Sequence, residues 1–263
     1  MKITSDFHIH TRRSLCAPQN AANNAADYVA YAKRIGLTKI GFADHFWDAS
    51  FPGANDFYKP QDFSHIATIR EELDALRGEG ISLFFGAEAE YDPYRHGVAL
   101  SEEAAEQLDF VIVPNSHTHM MMPKKLYSPY EKHAEFMVNA FCEILESPVA
   151  RYVTAIAHPF EAVCCPYDRG ILINLISDDT FRRLFDRAAE RNIAVELNIS
   201  CLHGCFDEGR MRMFALAKEC GCRFTFGSDD HAPNGEGHDY RGDAEHIAAL
   251  LGLTEDDLAP ITK

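Results

Sequence analysis

Positive charge is scarce in this chain: 25 Lys and Arg stand against 40 Asp and Glu, a formal net charge of −15. Long nucleic acids are held by a basic surface that displaces counterions from phosphates, so that partner class is not expected. Long apolar runs are missing too. No stretch approaches the roughly eighteen apolar residues of a membrane span. The opening Met1-Lys2-Ile3-Thr4-Ser5-Asp6 also lacks the apolar core of a secretory signal. The expectation is a cytoplasmic protein without membrane attachment. No C-x-x-C pair occurs among the eight cysteines, and Cys164 and Cys165 are adjacent, which points to buried thiols rather than a disulfide framework. There is no G-x-S-x-G elbow and no Cys-His dyad to announce a covalent nucleophile. Low-complexity linkers, short repeats and composition breaks are absent as well.

What remains is a core-forming chain. Its 263 residues are 46% hydrophobic, enough to bury a large core, and the length suits one α/β barrel. The chain is read as a single domain, 1–263. Short apolar or β-branched runs mark strands at 3–9, 38–43, 81–87, 109–114, 152–157, 192–198 and 223–227. Between them lie segments with helical spacing. Ile66, Ile69, Leu73 and Leu76 recur at three- and four-residue steps, as do Phe181, Leu184, Phe185 and Ala188. Asn23 or Asn24 can cap the first helix, and Gly36 follows its last turn. Seven strand–helix alternations imply a parallel sheet, closed or nearly closed on itself; an open doubly wound sheet is the alternative. In both, ligands sit beyond the C-terminal strand ends.

Those ends carry the chemistry. The first strand ends in Asp6-Phe7-His8-Ile9-His10, and alternate residues share a face, so His8 and His10 can converge on one ion. The next strands run into Ala43-Asp44-His45, Gly86-Ala87-Glu88-Ala89-Glu90, Ser116-His117-Thr118-His119 and Ala157-His158-Pro159; the last runs into Gly227-Ser228-Asp229-Asp230-His231. Surface histidines scattered at random would not favour one end of each strand.

Taken together, D-x-H-x-H, D-H, G-x-E, S-H-x-H, A-H-P and S-D-x-H resemble the PHP (polymerase and histidinol phosphatase) superfamily, and its stand-alone histidinol-phosphatase branch in length. The resemblance spans Asp6 to His231. It implies a distorted (β/α)7, TIM-like barrel with two or three divalent metal ions, zinc first and manganese or iron as alternatives. By position, His8, His10, Glu88 and Asp229 would hold one ion. Glu88, His117 and His158 would hold a second, with Glu88 bridging. His45 and His231 would contribute to a third, where Cys16 stands in place of the usual histidine or aspartate. A carboxylate can bridge ions roughly 3.5–4 Å apart, as two-metal hydrolases require. Asp6 is read as a partner for an imidazole N–H.

The implied activity is hydrolysis of a small-molecule phosphate monoester, such as histidinol phosphate, by attack of a metal-bound hydroxide. Glu88, Asp229 and His119 are the catalytic candidates. Arg13, Lys125, Arg169 and Arg241 are candidate phosphate grips, and Asn198 is a candidate contact to substrate polar groups. Glu90 shares the inward parity of Glu88 and suits either substrate or a bracing role. The Met120-Met121-Met122 run offers a pliable wall for an organic leaving group. Cys201-Leu202-His203-Gly204-Cys205 is read as incidental thiols rather than an auxiliary metal site. Competing functions are phosphodiester or nucleotide hydrolysis on the same ions, amidohydrolase chemistry, and a non-catalytic metal-binding module. Amidohydrolases commonly use a lysine on the fourth strand, and none stands there.

Overall fold

In the computed structural model, which describes residues 1–20, 22–162, 169–198, 208–233 and 241–261, each apolar run contains a strand. The parallel sheet runs β1 (Ser5–Ile9), β2 (Lys39–Phe42), β4 (Ser82–Ala89), β7 (Phe110–Pro114), β8 (Ala155–Ala157), β9 (Ala194–Asn198) and β10 (Phe224–Gly227). A two-residue β3 (His45–Phe46) pairs with the far end of β4, and β5 (Tyr91–Asp92) pairs antiparallel with β6 (Gly97–Val98). These pieces are too short for a period-two pattern to betray them. The sheet nearly closes into a barrel. β10 returns to β1 through one parallel bridge, Ile9 to Asp230, and the His10 N–H donates to the Asp230 carbonyl at 2.9 Å.

Helices cover the outside: α1 (Ala25–Ile35), α2 (Phe63–Ile66), α3 (Ile69–Ala75), α4 (Glu102–Ala105), α5 (Thr118–Met121), α6 (Tyr130–Glu146), α7 (Arg169–Asn174), α8 (Asp178–Glu190), α9 (Glu208–Glu219) and α10 (Arg241–Leu250). Asn24 caps α1 by accepting the Asp27 N–H, and Gly36 ends it in a left-handed conformation. α8 buries the expected stripe of Phe181, Leu184, Phe185 and Ala188. The Ile66-to-Leu76 stripe is split between two helices, because Asp62 caps a single turn that ends before Thr68. No described helix is long and apolar enough to cross a membrane.

Two apolar layers result. One lies between sheet and helices; the other fills the barrel, where Phe7, Phe84, Phe110 and Ile112 gather with Ile261 from the C-terminal segment. A register shift between Asp6 and Ile9 lets Phe7 join this interior just before His8 turns to the mouth. The Phe110 ring needs room that only glycine leaves: a Cβ on Gly86 would fall 2.3 Å from its Cε1. Gly86→Ala is therefore expected to cost about 1–3 kcal/mol through overpacking. For a chain of this size that lowers the melting temperature by roughly 2–4 °C per kcal/mol. Calorimetry checks it, and an unchanged melt would show that Phe110 yields freely.

Candidate metal centre

The strand ends bring the expected ligands together around one buried carboxylate. Glu88, near the end of β4, is 1% exposed. Its Oε1 lies 2.9 Å from His158 Nε2 and 3.6 Å from the Nε2 atoms of His8 and His117. Oε2 lies 2.8 Å from His45 Nδ1 and 3.6 Å from His10 Nε2. Asp229 Oδ1 adds contacts of 3.4 Å to His8 Nε2 and 3.1 Å to His10 Nε2. Four sets place their ligand atoms mutually within 4.8 Å: His8–His10–Glu88, His8–His158–Asp229, His45–Glu88–His117 and His10–His45–His231. Glu88 belongs to two of these, as a bridging carboxylate should. His45 also belongs to two, so it sits closer to the centre than the third-ion assignment alone implies.

The electrostatics favour a cation. Burial alone would raise the Glu88 carboxyl, but His117, His45 and His8 hold it well below the usual range. Asp229 is likewise held down, against burial, by His8 and His10. Burial pulls His8 and His45 down, yet their carboxylate neighbours keep both well above an ordinary histidine. His10 goes the other way, lowered by burial and by His231 and His45. Moreover, Glu88 Oε2 and His45 Nδ1 are buried with no aligned hydrogen bond. Buried polar atoms are normally satisfied, so inward-facing lone pairs without an aligned hydrogen bond suit a bound cation.

Four of the imidazoles are braced from behind. His8 Nδ1 meets Glu196 Oε1 at 2.8 Å, and His117 Nδ1 meets Glu90 Oε2 at 2.8 Å, where the Tyr58 hydroxyl also bonds. His10 Nδ1 meets Ser14 Oγ at 2.9 Å, and that hydroxyl donates to Asp44 at 2.8 Å. His158 Nδ1 meets Ser116 Oγ at 2.6 Å. All four use Nδ1 outward and leave Nε2 facing the centre, which is how protein partners fix a ligating tautomer. Backbone strain concentrates here as well. His158 and Asp229 adopt φ of +25° and +56°, conformations that persist only where surrounding contacts enforce them.

Several of these residues were not singled out by sequence. Glu196 carried a signal, a carboxylate in the middle of the apolar strand Ala194-Val195-Glu196-Leu197-Asn198, yet that strand was the one without a ligand. Ser116 stood in a quoted motif but without a role of its own, and Tyr58 and Ser14 carried no signal, because their roles depend on which loop folds against which histidine. Asp6 does not brace an imidazole as expected. Its Oδ1 accepts the backbone N–H groups of His8 and Ser228, which ties β10 to β1, and burial pushes its carboxyl up to about 7.

Cys16 lies in the same place, its Sγ 3.1 Å from His231 Nε2. Burial raises the thiol, but hydrogen bonds with His231 and His45 outweigh it and bring it to about 6. An open cavity of about 230 Å³ leads to this edge, lined by Cys16, His45, Phe57, Tyr58, His117, His119, Met120, Asp229 and His231. His119 thus reaches the mouth, with its ring 5.7 Å from that of His117.

The candidate substrate contacts fare differently. Arg13 is buried, with its guanidinium on Thr68 Oγ1 at 2.7 Å and Glu72 Oε1 at 2.8 Å, away from the cavity lining. Arg241 lies against the turn after α1: an added Cβ on Gly36 would meet its Nη1 at 3.6 Å. That turn precedes β2, at the end of the barrel opposite the cluster. Lys125 sits exposed on a short 3-10 turn, Lys124–Leu126, and is not part of the lining. Asn198 is buried behind the ligands, its Nδ2 donating to Glu196 Oε2 at 3.1 Å. The Arg169 side chain, Cys164, Cys165 and the Cys201–Cys205 segment with His203 lie outside the described residues.

Fold and cluster together define a TIM-like barrel with a metal-type centre at the C-terminal ends of its strands. A profile of the PHP domain matches residues 6–200, and the chain belongs to the PHP domain family. A probable phosphatase of Acetivibrio thermocellus is 30% identical over 159 residues, which cover 60% of this chain and 55% of that protein. The chain thus spans about half the length of that relative. A probable phosphatase of Photobacterium profundum is 29% identical, over 88% of this chain and 79% of that one. Among solved structures, the histidinol phosphate phosphatase of Lactococcus lactis, complexed with zinc, L-histidinol and phosphate, shares the fold. Its TM-score is 0.67 at 18% identity, covering 95% of this chain and 94% of that one.

Proposed function

We propose that this protein is a metal-dependent phosphatase that hydrolyses a small-molecule phosphate monoester, with histidinol phosphate the first substrate to test. The observation that carries the reading is the convergence of His8, His10, Glu88, His117, His158 and Asp229, with inward-facing Nε2 and carboxylate oxygens, at the mouth of an open cavity. The names of the relatives and of the solved neighbour point the same way.

The donor set fits divalent ions. Glu88 would be shared, with His8, His10 and Asp229 on one side and His117 and His158 on the other; Cys16, His45 and His231 would hold a further ion. Such ions, when bound, supply Lewis acidity, lower the pKa of water and neutralise phosphoryl charge. The chain does the rest. Glu196, Ser14, Glu90 and Ser116 keep the imidazoles oriented. Asp229 and His119, at the cavity wall, are placed to hold a proton of the attacking water and to return one to the leaving oxygen. Among the described lining residues there is no Lys or Arg, so the phosphate charge falls to the ions and imidazoles. Phe57, Tyr58 and Met120 form the wall left for the organic part. Amidohydrolase chemistry is disfavoured, since the fourth barrel strand, β7, carries no lysine and Glu88 occupies the shared position.

The test is elemental analysis of purified protein, followed by assays over phosphate monoesters, diesters and nucleotides with zinc, manganese and iron each supplied. We expect about two or three ions per chain and preference for monoesters. A folded, metal-loaded sample inert across the panel would overturn the proposal.

A further inference from the structure

Glu196 makes contacts that no simple hydrogen-bond brace requires. It is 1% exposed, in the middle of β9, and its two oxygens serve two different candidate ligands. Oε1 takes the His8 ring at Nδ1, 2.8 Å away. Oε2 accepts the backbone N–H of His158 at 2.7 Å and Asn198 Nδ2 at 3.1 Å. His158 is the residue whose φ is +25°, so the bond to Oε2 helps hold it in a conformation it would otherwise leave. The neighbouring strand has been cleared to admit this carboxylate. A Cβ on Gly227 would fall 1.9 Å from Glu196 Oε1 and 2.5 Å from His8 Cβ. Gly227 has no positive φ, so close approach rather than backbone freedom is what glycine supplies there.

We propose that Glu196 is a positioning residue that couples two ligands of the centre, His8 and His158: one oxygen fixes the ligating tautomer of His8, the other holds the His158 backbone, and Gly227 exists to leave it room. The inference rests on the metal-centre part of the functional reading, not on the substrate.

A carboxylate suits the role because three N–H donors point at it and it only accepts. With Glu196 accepting from Nδ1–H, His8 Nε2 keeps its lone pair for the centre. An amide breaks that arrangement. Glu196→Gln has one acceptor oxygen, and the His158 N–H and Asn198 draw it to their side. Its NH2 then faces His8 Nδ1, which must accept, so the ring proton moves to Nε2 and the ligand atom is blocked. Gly227→Ala reaches the same end by volume, pushing the carboxylate off both partners.

The decisive experiment strips each protein of metal, confirms folding by circular dichroism, and titrates zinc against a chromophoric chelator. Glu196→Gln is expected to weaken zinc binding about 10–100-fold, the usual range for losing a partner behind a metal-bound histidine. Gly227→Ala should reproduce the loss. The control is Glu161→Gln, another buried carboxylate near His158, paired with Arg210. It should lose stability without losing zinc. Nitrogen-15 spectra of zinc-loaded wild type should show His8 protonated at Nδ1 and ligated through Nε2, a reading that needs no variant to fold. Wild-type zinc affinity in folded Glu196→Gln, an equal loss in Glu161→Gln, or His8 ligated through Nδ1 would each overturn the proposal. Normal zinc binding without phosphatase activity would instead remove the functional reading and leave this one standing.

Discussion

Glu88→Gln is expected to abolish turnover, by roughly 10³-fold or more, while the protein stays folded. Among the described residues, no other side chain touches as many of the candidate ligands. Its oxygens lie within 3.6 Å of ring nitrogens from His8, His10, His45, His117 and His158. An amide cannot share two oxygens between ions and presents N–H groups where cations belong. Metal content should fall together with activity, because the bridge goes with the charge. Glu90→Gln is the comparison. Glu90 braces His117 from behind with Tyr58, so its loss should cost about 10–100-fold and leave most of the metal bound. Elemental analysis and steady-state rates on both variants check this. If Glu90→Gln were the one to strip the metal, the bridging role would belong to the wrong carboxylate.

Cys16→Ser should remove one zinc ion per chain and leave the central pair in place. The thiol sits 3.1 Å from His231 Nε2, beside the His10–His45–His231 group, and a sulfur ligand favours zinc over manganese. Serine keeps the shape and loses the soft donor, so zinc affinity at that edge should drop sharply. The pH dependence has a definite sign. His231 is raised to about 9, by its bond with Cys16 and by Asp229, which together outweigh burial, and only the neutral ring can ligate. Zinc must therefore expel a proton below that pH, and affinity should rise from pH 7 to 9, by at most about tenfold per unit for one proton. Chelator titrations in zinc across that range provide the measurement. An unchanged zinc count in Cys16→Ser would mean that the thiol merely packs beside the loop.

Sequence alone determined most of the barrel and nearly all of the side chains that gather at its mouth. Strand periods are short-range, and the apolar runs at 81–87 and 192–198 contain most of β4 and all of β9. Ligands were legible for a related reason: a parallel sheet puts every strand's C-terminal end on one face, so His8, His45, Glu88, His117, His158 and Asp229 needed only their positions along strands to be gathered. Helix breaks were less legible, as the split between α2 and α3 shows, because a one-turn cap at Asp62 competes locally with a longer stripe.

What only the tertiary structure decided was the surroundings of the ligands. Whether a charge grips phosphate depends on what faces it, and Arg13 faces Glu72 from a helix some sixty positions along the chain. Arg241 folds against Gly36 at the opposite end of the barrel, although it follows the strand that carries Asp229. Glu196 shows the same dependence in reverse. Its strand alone presents an isolated buried acid; only the approach of His8 from β1 and of the strained His158 backbone from the end of β8 makes it part of the centre. Strand pattern fixes which way a side chain points, and that is a local property. Partnership between side chains is settled by strands and loops far apart in the chain, and so belongs to the closed barrel.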